Sequence, residues 1–493
     1  MKNNYSAKIS NATKWSTITS ILRKLVTPIT SIVLARLLTP EAFGIVATIN
    51  MVISFADVFT DAGFQKYLIQ HEFADIKSLY RAANIAFWTN LLLSIATWML
   101  IFLFSTPLVN LVGSPGYEIQ LIVAALAIPM TSFSSIQQAL FKRDFDFKGM
   151  FVPQMISSFV PLVVTVPLAI ITHNCWALII GSLMSKLVEA IMFTIKSTWK
   201  PKLYYDFTIF FAMFSFSAWT LLESISIWLT TNVDIFIIGR QMSNYYLGLY
   251  KTSITTVTQI TNLLVTIIVP VLFSALSRFQ NDDKEFADIL YSFQRKSSVL
   301  LIPLSIGMFV YRNTITLILL GPQWSEAALF LGLNGLMQGI TVIFAYFGSE
   351  VYRAKGEPRV SFLVQIIYIL SIVPTIAYAS QRSFTELCIV RTALMVWFVI
   401  IHLLVLKIKY QLEIGKMLKC ILQPCIASGI MGIIGFISNI IFSQLIYRII
   451  SIFVCIVIYF AICFVMKDTR QIIKDFLLIF KKRRIMHKNI RRD

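Results

Sequence analysis

Fourteen times along this chain the hydrophobic pattern runs apolar for about 20 residues and then breaks into a short polar segment. The runs begin near residues 15, 42, 81, 119, 149, 175, 208, 245, 297, 325, 360, 384, 418 and 444. About 20 residues of α-helix, at 1.5 Å each, cross a hydrocarbon core roughly 30 Å thick. The pattern therefore predicts an all-α polytopic membrane protein with about fourteen transmembrane helices. Composition removes the alternative. Of 493 residues 57% are apolar and only 14% charged, and the mean hydropathy is +0.76, so a water-soluble fold is excluded. Arg23 and Lys24 interrupt the first run, and no small-residue cleavage pattern follows it, so that run is expected to be retained as a span rather than removed as a signal peptide.

Charge orients the spans. Of the 43 Lys and Arg residues, 32 fall on the N-terminus, the C-terminal tail and every second loop, four (Arg240, Arg312, Arg382 and Arg448) on the opposite loops, and seven inside apolar runs. Cytoplasmic segments carry the excess of Lys and Arg, which places both termini in the cytoplasm and requires an even number of spans. The outward loops are short, and no external domain large enough for a polysaccharide polymerase or ligase is present. The net charge of +19 flanks membrane spans instead of forming one basic face, so no nucleic-acid partner is expected. In the tail, 467–493, Ile472, Ile473, Phe476, Leu477 and Phe480 recur among ten basic residues. That spacing predicts a cytoplasmic amphipathic helix on anionic lipid.

An internal repeat divides the chain. Ala35–Ile45, reading ARLLTPEAFGI, matches Gly239–Leu249, reading GRQMSNYYLGL, and Phe141-Lys142-Arg143 matches Val351-Tyr352-Arg353. The offsets are 204 residues for Arg36 to Arg240 and 210 for Arg143 to Arg353. Span one thus pairs with span seven and span four with span ten, so the unit is six spans of preserved orientation, as in transporters built from parallel repeats. The expected organisation is an N-terminal lobe over 1–199 (spans one to six), a C-terminal lobe over 200–410 (spans seven to twelve), two appended spans over 411–466, and the tail.

Enzyme chemistry finds no foothold. The six cysteines are scattered without a CxxC pair, His71-Glu72 is not followed by a second His at zinc-protease spacing, and there is neither a GxxxxGK[ST] loop nor a GxSxG elbow. No cofactor or metal is expected.

Leu34–Gly44, Phe55-Ala-Asp57, Asp61-Ala-Gly-Phe64, Asn232–Gly239 and Leu247-Gly-Leu-Tyr250 resemble bacterial oligosaccharide flippases, the O-antigen and exopolysaccharide transporters of the multidrug/oligosaccharidyl-lipid/polysaccharide exporter superfamily. The resemblance implies a transporter that moves undecaprenyl-pyrophosphate-linked repeat units from inner to outer leaflet by alternating access, driven by an ion gradient, with other polysaccharide-assembly membrane proteins as partners besides lipid. A multidrug or organic-cation antiporter of the same superfamily and a flippase for the peptidoglycan precursor are the competing functions.

Charges inside spans cost at least about 2.5–3.5 kcal/mol each and usually face a watery cavity or a partner. The basic set is Arg23, Lys24, Arg36, Lys66, Lys186, Lys251 and Arg391. Arg23 and Lys24 lie about eight residues, roughly 12 Å, into span one, the depth at which a lipid pyrophosphate entering from the cytoplasmic leaflet needs cations. Arg grips phosphate bidentately and Lys adds a point charge. Lys251 and, at the outer end of span one, Arg36 complete the substrate-binding candidates, although Arg240 repeats Arg36, which equally suits a turn-stabilising role. Lys186 and Glu189 are expected to neutralise each other, and Lys66 and Arg391 to reach for the interface. The ion-coupling candidates are Asp57 and Asp61, which share a helix face, Glu223 and Asp234; the alternative for the first two is an ion pair with Arg23 or Lys24. Prolines inside spans suit helices that bend during transport.

Overall fold

The computed structural model describes residues 2–61 and 64–474, with the side chains of 2–13, 61 and 215–223 outside the description. Among the described residues the chain is helical and contains no strand. Its long segments are α1 Lys2–Leu37, α2 Pro40–Asp61, α3 Ile76–Leu103, α4 Glu118–Arg143, α5 Phe147–Thr172, α6 Cys175–Lys196, α7 Phe207–Gln241, α8 Asn244–Arg278, α9 Asp283–Val310, α10 Ala327–Ala354, α11 Pro358–Ser380, α12 Phe384–Tyr410, α13 Ile414–Ile441 and α14 Leu445–Val465. These coincide one for one with the fourteen apolar runs. Among the described residues twelve helices are long and apolar enough to cross a membrane, and α9 with Arg312–Leu319, bent by 85°, makes a thirteenth. The remaining one, α7, is a continuous helix of 35 residues with 215–223 near its middle.

The fold is thus an all-α polytopic membrane bundle, and its boundaries depart from the apolar runs for local reasons. Helix α1 extends back to Lys2 because nothing in the polar stretch 2–14 breaks it. Helix α9 starts well before the apolar run near 297, because Asp282 accepts hydrogen bonds from the Lys284 and Glu285 amides and caps a polar first turn. Asp75 does the same for α3, accepting from the Ser78 amide at 2.7 Å while its own amide donates to Ser78 Oγ, a reciprocal capping box. Helices α3 and α9 are both 28 residues long, and each is followed by a short helix, Ser105–Leu111 and Arg312–Leu319. The duplication seen around Arg36 and Arg240 therefore extends to helix length and cap chemistry.

Two spans are locally wound wide. In α5 the π-turn Pro161–Thr165 begins at a residue with no amide to give. In α10 the π-turn Val342–Tyr346 contains no proline; there Gln294 of α9 donates to the Ile343 carbonyl at 3.2 Å, entering the helix's own ladder.

The chain forms two compact units. The first comprises Met1–Thr252 with Leu319–Gln323 and Ile376–Gln381. One part of its core gathers Leu38, Leu121, Ala125, Ile128, Ala177 and Ile179, another Phe64, Leu68, Phe87, Ile136 and Met213. The segment between α6 and α7 is clamped to α3: Trp88 Nε1 donates to the Lys202 carbonyl, the Lys202 amide to Asn84 Oδ1, both at 2.9 Å, and Thr89 Oγ1 meets Tyr205 OH. The second unit comprises Ser253–Ile318, Trp324–Thr375 and Arg382–Asp493. Its core is built on Leu272, Leu290, Leu301, Phe344, Phe347 and Tyr352. The appended helices join it through Tyr459 OH, which donates to the Val299 carbonyl at 2.7 Å, and Tyr311 OH, 2.9 Å from Ser451 Oγ. Helix resumes after Met466 and runs to residue 474, where Ile472 is buried; of the expected amphipathic tail, 475–493 lies outside the described residues.

Hydrogen bonds from Ser78 hold the Asp75 carboxyl below the usual carboxylate range. Its contribution is therefore present at neutral pH and lost as pH falls through that lowered value. Asp75→Ala should lower the melting temperature in detergent by roughly 1–2 °C at pH 7, and the difference from the parent should shrink on acidification.

Candidate functional site

The stretch of α1 that carries Arg23 and Lys24 is barely packed: Arg23 is exposed, Lys24 partly so, and Ile21, Leu25 and Ile29 beside them are about half exposed. Among the described residues neither side chain has an ion-pair or hydrogen-bond partner. The pairing with Asp57 weighed from sequence is not formed; Asp57 is itself partly exposed on α2. The side chains of Asp61 and Glu223 lie outside the described residues. Two adjacent helical residues diverge by about 100°, so Arg23 and Lys24 sweep a wide arc of α1. An unpaired guanidinium and ammonium there can bind an anion such as a phosphate.

Arg36 is exposed at the far end of α1, where Gln323 Nε2 donates to the carbonyls of Ala35 (2.8 Å) and Arg36 (3.1 Å). This end of the helix is held by its backbone. Lys251 is partly buried on α8, next to Tyr250. Tyr250 OH donates at 2.7 Å to Asp234 Oδ2 of α7, and Asp234 Oδ1 accepts from the Ile235 amide. Asp234 is only 7% exposed, and its carboxylate ties α7 to α8. Elsewhere, Arg391 donates to Tyr368 OH instead of only reaching for the interface. Lys186 is exposed and, among the described residues, forms no ion pair with Glu189. No group of three His, Cys, Asp or Glu residues among those described is placed to hold a metal.

A close, reciprocal backbone approach in the first unit is made by residues that the repeat equates. A Cβ on Gly44 of α2 would lie 1.8 Å from the Asn244 carbonyl oxygen of α8, and a Cβ on Gly248 would lie 1.8 Å from the Pro40 carbonyl oxygen. The two helix starts cross reciprocally, each using its glycine as the other's contact surface. A third strand of chain joins them. Gly113, at φ +79°, abuts the Gly239 carbonyl, and Ser114 Oγ lies 2.9 Å from Thr48 Oγ1 and donates to Asn244 Oδ1 at 2.9 Å. Trp228 Nε1 of α7 donates to Ser54 Oγ of α2 at 2.9 Å. Sequence reading singled out these motifs as a repeat but missed that they touch; the signal available was the glycine at the same place in both copies.

A bundle of about fourteen membrane helices with duplicated helix pairs and unpaired cations on an open span is the architecture of a membrane transporter. The fold matches the solved structure "Lipid II flippase MurJ, inward closed conformation" with a TM-score of 0.73 at 16% identity, covering 91% of this chain and 98% of that one. It matches an inward-facing multidrug resistance MATE transporter with a TM-score of 0.63 at 11% identity, covering 83% and 99%. Residues 33–329 match the polysaccharide biosynthesis protein family, and the chain belongs to that family. Relatives include the succinoglycan biosynthesis transport protein ExoT of Rhizobium meliloti (strain 1021), 25% identical over 74% of each chain. The lipopolysaccharide biosynthesis protein WzxC of Escherichia coli (strain K12) is 21% identical over 76% of each. The teichuronic acid biosynthesis protein TuaB of Bacillus subtilis (strain 168) is 20% identical over 87% of this chain and 88% of its own.

Gly44→Ala or Gly248→Ala must push two backbones apart, at a cost of about 1–3 kcal/mol or more. Gly429→Ala, where a Cβ would meet nothing within 4 Å, should be neutral or slightly stabilising. Unfolding of the three purified variants checks the difference, and equal stability would remove the crossing from the account.

Proposed function

We propose that this protein is a flippase that carries undecaprenyl-pyrophosphate-linked oligosaccharide repeat units from the inner to the outer leaflet of the bacterial cytoplasmic membrane, for O-antigen or exopolysaccharide assembly. It works by alternating access between a lobe of residues 1–199 and a lobe of residues 200–410, coupled to an ion gradient, and makes no covalent change. The observation that carries this reading is the unpaired Arg23 and Lys24 on the open stretch of α1. Keeping two adjacent cations inside a span costs several kcal/mol, and a doubly charged phosphate ester is a ligand that repays it. Relatives described as acting in succinoglycan, lipopolysaccharide and teichuronic acid biosynthesis support the class of cargo.

With the basic loops and both termini in the cytoplasm, as the charge partition implies, the Gly44–Gly248 crossing falls on the outward side. Release outward then requires α2 and α8 to part at the glycines, where backbone meets backbone, and the Ser114 bond to Asn244 to open. Asp57, Asp61, Glu223 and Asp234 are the coupling candidates, the last of them bonded to Tyr250 of α8. An organic-cation antiporter fits poorly, because unpaired cations repel its cargo. A peptidoglycan-precursor flippase shares the cationic requirement and differs in being indispensable for growth.

Replacing Arg23 and Lys24 together by Ala should reduce surface polysaccharide at least tenfold in a complementation assay at normal protein level. A deletion strain should grow and accumulate lipid-linked repeat units on the inner leaflet. Full activity of the double variant would overturn the assignment.

A further inference from the structure

The basic-loop ends of five helices in the first unit enclose a cavity of about 470 Å³ that no step above has used. Its walls include Trp15 of α1, Tyr80 of α3, Asp144 just past α4, Lys148 of α5, Lys196 at the end of α6 and Trp199 beyond it. The aromatic walls are held in place. Trp15 packs edge-on to Phe151 at 5.1 Å between ring centres, with the Lys148 ammonium 6.0 Å from its own ring centre. Trp199 is 3% exposed against Phe87, and its Nε1 has no hydrogen-bond partner. Asp144 and Lys196 are exposed and, among the described residues, neither is in an ion pair.

The repeat supplies a comparison. The offset that aligns Arg143 with Arg353 also aligns Phe145 with Lys355 and Trp199 with Lys409, and these lysines line a cavity of about 600 Å³ in the second unit. Three lysines of that copy are paired: Lys355 with Asp283, Lys409 with Glu357 and Lys416 with Glu413, each at 2.7 Å. Hydrogen bonds from Lys409 and Tyr410 hold the Glu357 carboxyl below its usual range, keeping it ionised. Duplicated cavities have thus diverged. The second ties three of its lysines into ion pairs, whereas the first is lined by two tryptophans, which the second lacks, and among the described residues its Asp144, Lys148 and Lys196 form no ion pair.

Broad aromatic faces bordered by a carboxylate and ammonium groups match one ligand chemistry well. A pyranose ring offers apolar C–H faces to stack on indole and equatorial hydroxyls that both donate to a carboxylate and accept from an ammonium, and charge-assisted hydrogen bonds of that kind are the stronger ones. The volume lies in the range of small-ligand sites, roughly 300–1,000 Å³. An anion alone would not need the aromatic walls, and a hydrophobic tail would not tolerate the open charges.

We infer that this cavity is an oligosaccharide-recognition site, which takes sugar rings of the lipid-linked repeat unit at the cytoplasmic face before translocation. The inference rests on the flippase reading and names the part of the substrate that the cations of α1 do not explain. Trp15 stacks on a sugar ring, Asp144, Lys148 and Lys196 hydrogen-bond its hydroxyls, and the pyrophosphate lies deeper, toward Arg23, eight residues or about 12 Å along α1.

The test uses the full-length protein in detergent and two probes. One is the water-soluble oligosaccharide released by mild acid from the lipid-linked repeat units of a deletion strain; the other is undecaprenyl pyrophosphate without a glycan. Trp15→Ala and Asp144→Asn should each weaken oligosaccharide binding about tenfold and leave undecaprenyl pyrophosphate binding unchanged. Trp15→Phe, which keeps a stacking face, should stay within about threefold of the parent, and Lys409→Ala in the second cavity should bind as the parent does. If neither Trp15→Ala nor Asp144→Asn separates the two probes, the recognition site is overturned while the flippase assignment stands. If the deletion strain accumulates no lipid-linked glycan, the flippase assignment falls and this site with it.

Discussion

Hydrocarbon offers a peptide group no hydrogen-bond partner, and every feature of this chain answers to that constraint. A backbone that must satisfy itself inside the membrane is driven into helix, which is why fourteen apolar runs become fourteen helical segments. The same constraint governs the exceptions. Where α10 winds wide, Gln294 reaches across from α9 to the Ile343 carbonyl. Where α5 winds wide, the first residue is a proline that has no amide to strand.

With the hydrophobic effect largely used up in placing helices in lipid, close approach and specific polar ties decide how they pack. The first unit shows both. Gly44 and Gly248 let two backbones come into direct contact, and the Thr48, Ser114 and Asn244 side chains fasten the chain around them. Asp234 belongs to the same construction: a carboxylate in a span usually invites a transport role, but its bond to Tyr250 makes it a strut between α7 and α8. Charge within the bundle is thus of two kinds. Some groups are consumed by structure, as in Asp234 and the ion pairs of the second cavity, and some are left open, as in Arg23, Lys24, Asp144 and Lys196. Inside a span, where an unpaired charge is costly, the open pair Arg23 and Lys24 marks where a ligand is expected.

Duplication ties these observations together. The two copies share a cap at the start of α3 and α9, a glycine at the start of α2 and α8, and a cavity at the basic-loop end. They have then specialised, one copy carrying the free cations of α1 and the aromatic cavity, the other filling its cavity with lysine–carboxylate pairs and carrying the appended helices α13 and α14 on α9.

Much of this was legible in the sequence, because the governing interactions are local or periodic. Apolar run length sets the number of helices, the period of the repeat was plain at Arg36 and Arg240, and the family motifs are contiguous. Helix starts were less legible: Asp282 begins α9 well ahead of its apolar run, since a side-chain cap is invisible to hydropathy. What only the tertiary structure decided is which side chains are free. Asp234 reads in sequence as one more intramembrane carboxylate, yet it is bonded across to Tyr250 of α8. Trp15 and Trp199, 184 positions apart, meet at one cavity only once α1 and the end of α6 are packed. Sequence determines which groups must leave water for lipid; packing alone determines which of them find a partner there.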